Sequence, residues 1–117
     1  MVKISAYIVT LNEEKRLAKT LQALKKVADE IFVIDSGSTD KTQKIAEKYG
    51  AKFLFHKWKN ISAQKHYGQE LCNNDWVMSL DADEVLSPEL IAEIKDKMKS
   101  PTDDAYKMNI CDMLPGD

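Results

Sequence analysis

The chain has 117 residues, of which 31% are charged and 44% apolar, and its net charge is −2. That is enough for one domain, read here as spanning residues 1–117, with one core that hides roughly two-thirds of the extended surface on folding. Lys and Arg are scattered rather than massed, which excludes a basic face for nucleic acid and a polybasic anchor for anionic lipid.

Residues 4–10 are β-branched and aromatic-rich, the composition of a strand. This stretch is too short and too interrupted for a signal peptide or membrane span, which argues against secretion. From Glu13 to Lys26, Leu17, Leu21 and Leu24 recur at helical spacing. Ile31–Ile34 is a continuous apolar run, as in a strand buried on both faces. Asp35–Asp40 is a turn, a helix runs to Tyr49, and Gly50 stands where a helix C-terminal glycine belongs. Residues 51–55 predict a third strand, and residues 62–72 a helix with Ala63, Tyr67 and Leu71 on one stripe. Residues 76–80 form a fourth strand. Ser87-Pro88-Glu89 opens a last helix that buries Leu90, Ile91, Ile94 and Met98 and stops at Ser100-Pro101. Cys72 and Cys111 have neither C-x-x-C spacing nor a nearby His, so a reduced, cytosolic chain without a zinc site is the expectation.

Strands alternating with helices imply an α/β fold: a mostly parallel, Rossmann-like sheet with helices on both faces. Ligands of such sheets bind beyond the carboxyl ends of the strands, where strand order reverses. Asn12, Asp35 and Asp81 each follow an apolar run and are therefore expected at that edge.

Three carboxylates crowd into Asp81-Ala82-Asp83-Glu84, and their repulsion invites a cation. Hard oxygen ligands suit Mg²⁺ or Mn²⁺, which take further ligands from water and substrate phosphates. In a continuing strand Asp81 and Asp83 would share one face. An isolated D-x-D triplet, however, is common by chance and also reads as a solvated acidic turn. Asp35 ends a buried strand and is read as a ligand contact. The residues after it should present N–H groups at a helix start, with Ser38 or Asp40 as the cap. Asn12 is expected to cap the first helix, helped by Glu13 and Glu14. The absence of G-x-G-x-x-G and G-x-x-x-x-G-K-[ST] argues against a dinucleotide or P-loop enzyme.

Val9-Thr10-Leu11-Asn12-Glu13-Glu14, Val33–Thr42, Gln64-Lys65 and Trp76–Glu84 occur in the order seen in family 2 glycosyltransferases. The chain resembles that family over residues 4 to about 98, and within it the branch related to bacterial lipopolysaccharide-core β-glucosyltransferases. The resemblance implies a GT-A fold, a UDP-sugar donor, a divalent cation (Mn²⁺ or Mg²⁺) and inverting transfer to a saccharide or lipid-linked acceptor. By the same resemblance Thr10, Glu13 and Asp35 line the nucleotide pocket, with Asp35 on uracil. Asp81 contacts the ribose, Asp83 holds the metal on the diphosphate, and Lys65 lies near the nucleotide and diphosphate. A cytoplasmic place, with peripheral contact to the inner membrane face, is implied too.

The chain departs from the branch at His66, where Asn is usual. Only 34 residues follow Asp83, so the acceptor half that normally supplies the carboxylate base is expected to be absent. Glu84, Asp103, Asp104, Asp112 and Asp117 remain as carboxylates without a persuasive position, and no catalytic base is assigned. Two classes stay open: a transferase, or a UDP-sugar-binding module that needs a partner. The tail Tyr106–Cys111 reads as the start of a strand whose unprotected edge would drive self-association.

Overall fold

The computed structural model describes residues 3–74 and 76–99. Four strands, β1 (Ile4–Thr10), β2 (Glu30–Asp35), β3 (Lys52–Phe55) and β4 (Trp76–Asp81), alternate with four helices. These are α1 (Leu17–Leu24), α2 (Thr42–Lys48), α3 (Ile61–Leu71) and α4 (Pro88–Lys99). All three strand pairings are parallel and the order is β3-β2-β1-β4. The chain therefore winds outward from β1 to β3, then returns to place β4 on β1's other side. The reversal lies between β1 and β4, where an α/β sheet opens its crevice.

Continuous burial along β1 and β2 follows from helices on both faces. On one face Ile4, Ala6, Ile8, Ile31 and Val33 meet Leu17, Leu21 and Leu24 of α1, Ala46 of α2 and Ile91 and Ile94 of α4. On the other face Tyr7, Phe32 and Ile34 pack under Tyr67 and Leu71 of α3. The expected layering is therefore present. The self-association edge at Tyr106–Cys111, the Met98 side chain and the stop at Ser100-Pro101 lie outside the described residues.

Local signals explain most element ends. Gly50 follows α2 at φ +81°, the left-handed conformation that suits glycine after a helix. Ser87 Oγ accepts from the Leu90 N–H at 3.1 Å, as an N-cap should. The start of α1 is a correction. Glu13–Arg16 form a turn whose Glu13 carbonyl accepts from Arg16 and Leu17, and the helix begins only at Leu17.

At the amino edge of the sheet, Glu30 joins β1, β2 and the approach to β4. It accepts from Ser5 Oγ at 2.5 Å and from the Asn73 N–H at 2.8 Å. Desolvation pushes its carboxyl up, but these hydrogen bonds outweigh it and hold the group below its ordinary value. Nearby, burial and the Glu30 charge push the Cys72 thiol up to about 11, so it is protonated and inert as a nucleophile at neutral pH.

One close approach fixes how α3 lies on the sheet. A Cβ at Gly68 would stand 2.6 Å from Cδ1 and 2.8 Å from Cγ of Tyr7, a ring that is itself buried. Overpacking of this kind costs about 1–3 kcal/mol, against roughly 1 kcal/mol gained from better helix propensity. Gly68→Ala is expected to lower the melting temperature by several degrees; an unchanged or raised value would show that Tyr7 does not limit the approach.

Candidate functional site

Asp35, the last residue of β2, is 1% exposed. Its Oδ1 accepts from Thr10 Oγ1 at 2.6 Å and from Ser38 Oγ at 2.5 Å. Its Oδ2 accepts from the backbone N–H groups of Gly37 at 2.8 Å and Ser38 at 2.6 Å. Gly37 has φ +122°, a backbone that side-chain-bearing residues rarely adopt, and this lets the chain double back on the carboxylate. Asp35 therefore ties the end of β1 to the loop after β2. Thr10 is expressed in the same knot rather than at its surface, being 2% exposed.

The β1–α1 and β2–α2 loops are laced further along. The Asn12 N–H donates to Ser38 Oγ at 2.7 Å, and Asn12 Oδ1 accepts from the Thr39 N–H at 2.8 Å. Asn12 takes φ +53° to do this, a conformation Asn tolerates better than most residues. Beyond it, the Glu13 N–H donates to Thr42 Oγ1 at 2.9 Å and the Glu14 N–H to Asp40 Oδ2 at 3.2 Å. Asp40 Oδ1 also accepts from the Thr42 N–H at 2.9 Å. Desolvation raises the Asp40 carboxyl, but the hydrogen bonds from Thr42 and Glu14 together outweigh it and hold the group below its ordinary value.

These contacts correct two expectations and decide between two alternatives in a third. Asn12 does not cap α1; it bridges two loops. Of the two cap candidates, Asp40 serves the start of α2 and Ser38 serves Asp35 instead. The N–H groups of Gly37, Ser38 and Thr39 point at the protein's own side chains, so the loop is a shaped wall, not an anion cradle. Asp35 has both oxygens held by protein donors, which gives it a part in shaping the loop.

The acidic triplet closes the crevice from the other side. Asp81 is the exposed last residue of β4 and lies opposite Val9, beside Thr10 and Asp35 at the carboxyl edge. The strand does not continue: residues 82–83 turn, and Glu84 Oε1 accepts from the Asp81 N–H at 2.7 Å. Ala82 is buried, and its carbonyl accepts from Thr20 Oγ1 of α1 at 2.6 Å. Asp81 and Asp83 are thus both exposed on either side of an anchored alanine, through a turn and not through a strand's period.

Arg16, which the sequence reading passed over, joins this triplet to the first loop. Its guanidinium lies 2.5 Å from Glu13 Oε1 and 3.8 Å from Asp83 Oδ2. Its i,i+3 relation to Glu13 was available as a signal. Lys65 stands half-buried on α3, and none of the described hydrogen bonds or ion pairs joins it to these residues. Its neighbour Gln64 is fully buried, pairs through Oε1 with His56 Nδ1, and leaves its Nε2 without a partner in the described structure. The His56 ring in turn stacks on Tyr67 at 4.0 Å, and the His56 backbone N–H donates to the Asp35 carbonyl. The exposed apolar side chains Leu11 and Val85 stand in the loops after β1 and β4, on the two sides of the crevice.

Among the described residues no group of three His, Cys, Asp or Glu side chains could hold a metal by itself. Two exposed carboxylates on one turn nevertheless fit a hard cation that takes its other ligands from water and phosphate.

Residues 5–111 match the family described as Glycosyl transferase family 2. The chain is 47% identical over 104 residues to an uncharacterized glycosyltransferase, RC0292, of Rickettsia conorii, covering 89% of this chain and 37% of that protein. It is 37% identical over 101 residues to the lipopolysaccharide core biosynthesis glycosyltransferase LpsC of Rhizobium meliloti, covering 76% of this chain and 37% of that one. The chain thus spans well under half the length of these curated relatives. In fold it is similar to S. aureus TarS 1-349 in complex with UDP, with TM-score 0.65, 24% identity, and coverage of 84% of this chain and 32% of that one. It is similar also to Mycobacterium tuberculosis glucosyl-3-phosphoglycerate synthase, solved with Mn²⁺, UDP and glucosyl-3-phosphoglycerate. That match has TM-score 0.59 and 24% identity, and covers 69% of this chain and 33% of that one.

The contrast between Asp35 and Asp81 can be measured. Asp35→Asn places an amide against four donors in a buried site and should cost roughly 2–4 kcal/mol in urea unfolding. Asp81→Asn, at the exposed end of β4, should stay within about 0.5 kcal/mol of the parent. Equal effects would refute the division into shaping and exposed carboxylates.

Proposed function

The chain belongs to glycosyl transferase family 2, and we propose that it forms the donor-binding half of an inverting transferase that uses a UDP-sugar. The acceptor in this reading is a saccharide or lipid-linked saccharide of cell-envelope polysaccharide or lipopolysaccharide synthesis. The name of LpsC supports the acceptor class, and the UDP complexes of TarS and the synthase support the nucleotide. The observation that carries the reading is the convergence of three loops at the β1/β4 switch point: one wall pinned by Asp35, the other bearing Asp81 and Asp83.

In this reading Thr10 and Asp35 fix the pocket's shape, and Glu13 and Lys65 line it. Asp81 takes the ribose hydroxyls. Asp83 holds the divalent cation against the diphosphate, with Arg16 beside it as a second source of positive charge. A bound Mn²⁺ or Mg²⁺ supplies electrostatic stabilisation of the charge that grows on departing UDP. The chain's own residues orient that diphosphate, while the buried knot behind them resists rearrangement.

Inverting transfer also needs a base for the acceptor hydroxyl. Of the carboxylates considered, only Glu84 lies among the described residues, and it is bonded to the Asp81 N–H. Donor binding, and not proton abstraction, is what these residues account for. Among the described residues no helix is long and apolar enough to cross a membrane.

Calorimetry of UDP with and without Mn²⁺ tests the assignment. Affinity should depend on Mn²⁺ and fall by at least on the order of tenfold in Asp83→Ala, given that loss of even an outer-shell partner costs 10–100-fold. Unchanged, metal-independent binding in the variant would overturn the role of Asp83. Absence of UDP binding by the parent would overturn the donor reading itself.

A further inference from the structure

Arg16 stands between the two acidic sides of the crevice. Its Nε donates to Glu13 Oε1 at 2.8 Å, and its guanidinium also lies 3.8 Å from Asp83 Oδ2. Glu13 belongs to the loop after β1 and Asp83 to the turn after β4, so one cation spans the gap between them. The turn before α1 sets this up. The Arg16 N–H donates to the Glu13 carbonyl at 3.1 Å, which brings the two side chains to the same side. The Glu13 carboxylate is the more enclosed partner, with 18% of its side chain exposed against 57% for Arg16. Glu13 therefore holds the guanidinium, and the guanidinium leans on Asp83. Among the described ion pairs no other cation reaches residues 81–84. As a source of stability the contact counts for little, because exposed ion pairs are screened by water and salt. Its position is the informative part: a unit positive charge rests against the carboxylate assigned to the divalent cation.

Resting on the donor-site reading above, we infer that Arg16 is a built-in placeholder for the divalent cation: it neutralises Asp83 until the metal takes its place, and then serves the diphosphate. Mn²⁺ or Mg²⁺ arriving alone meets an Asp83 already partnered, with a like charge beside it. At such a separation a unit charge opposing a divalent one weakens binding on the order of tenfold even in a water-like medium. A nucleoside diphosphate reverses the balance. It brings negative charge that both cations can share, and the planar fork of a guanidinium matches phosphate oxygens with two parallel bonds. Glu13 keeps the displaced side chain at the crevice instead of releasing it to solvent. Arg16 thus favours the metal–nucleotide pair over the bare metal, and Glu13 acts as its positioning residue. The sequence hid this relation because Arg16 and Asp83 meet only through the return of β4 to the side of β1.

The test measures Mn²⁺ and UDP separately on the 117-residue chain. Free Mn²⁺ is followed by its paramagnetic resonance signal, and UDP by calorimetry at saturating Mn²⁺. Arg16→Gln should bind Mn²⁺ alone on the order of tenfold more tightly and UDP on the order of tenfold more weakly. Opposite signs are the signature, since a merely structural loss would weaken both. Arg16→Lys keeps the charge without the fork, so it should hold Mn²⁺ as weakly as the parent and recover only part of the UDP affinity. These differences should shrink as salt is raised, and the melting temperature of Arg16→Gln should match the parent's. Weakened or unchanged Mn²⁺ binding in Arg16→Gln would overturn the placeholder, and so would unchanged UDP binding. The donor reading fails in a different way. A parent that binds no UDP, or an Asp83→Ala variant with undiminished UDP affinity, would remove that reading and this inference with it. UDP binding that falls in Asp83→Ala and is untouched in Arg16→Gln would sink this inference alone.

Discussion

A single buried carboxylate at the end of β2 sets the geometry of the whole carboxyl edge. An ionised Asp is acceptor-only, with room for about four hydrogen bonds, and Asp35 has all four donors it can use. Two of them come from side chains and two from a backbone turned by Gly37. An amide of the same shape would present its own N–H groups to some of these donors, leaving them buried and unsatisfied. The carboxylate is tolerable inside the protein because each oxygen accepts two hydrogen bonds, and it is useful because charge-assisted bonds are short and strong. From this knot the Asn12, Glu13 and Glu14 contacts carry order outward to α2. The wall of the crevice is thus built before any ligand arrives, which reduces the ordering cost of binding.

Sheet order decides what faces that wall. Because β4 returns to the far side of β1, Asp81 comes to rest beside Thr10 although 71 positions separate them in the chain. The acidic turn is closed by hydrogen bonds between Asp81 and Glu84 and is anchored to α1: Ala82 sits in the core and its carbonyl takes the Thr20 hydroxyl. That anchoring keeps Asp81 and Asp83 exposed despite mutual repulsion. Arg16 offsets part of the repulsion from the side of the first loop. The two walls differ in kind: one is a closed hydrogen-bonded network, and the other presents open carboxylates.

The strands, the helix stripes, Gly50 and the Ser87 cap were legible because each depends on residues within a turn or two of chain. The placement of Asp35 and Asp81 at strand ends was legible for the same reason. How Asn12 joins Ser38 and Thr39 was not, because these pairs lie 26 and 27 residues apart and local capping chemistry offered an equally good use for Asn12 and Ser38. The acids Glu13 and Glu14 looked like the start of a helix, yet the first turn is given up so that their N–H groups can reach Thr42 and Asp40. The bend after Asp81 stayed open between a continuing strand and an acidic turn, since alternation of Asp, Ala and Asp fits both. Gly68 carries no local signal at all; only the Tyr7 ring against it explains the residue.

The central claim is that the donor site lies at the carboxyl edge, between the wall set by Asp35 and the acidic turn after β4. The most direct measurement is amide chemical-shift mapping of the chain on addition of UDP with Mg²⁺. Shifts are predicted at Leu11–Glu13, Gly37–Thr39, Lys65 and Asp81–Glu84, with Ser5, Glu30 and Asn73 at the opposite edge unmoved. Shifts centred on Ser5, Glu30 and Asn73, with the carboxyl edge silent, would contradict the account.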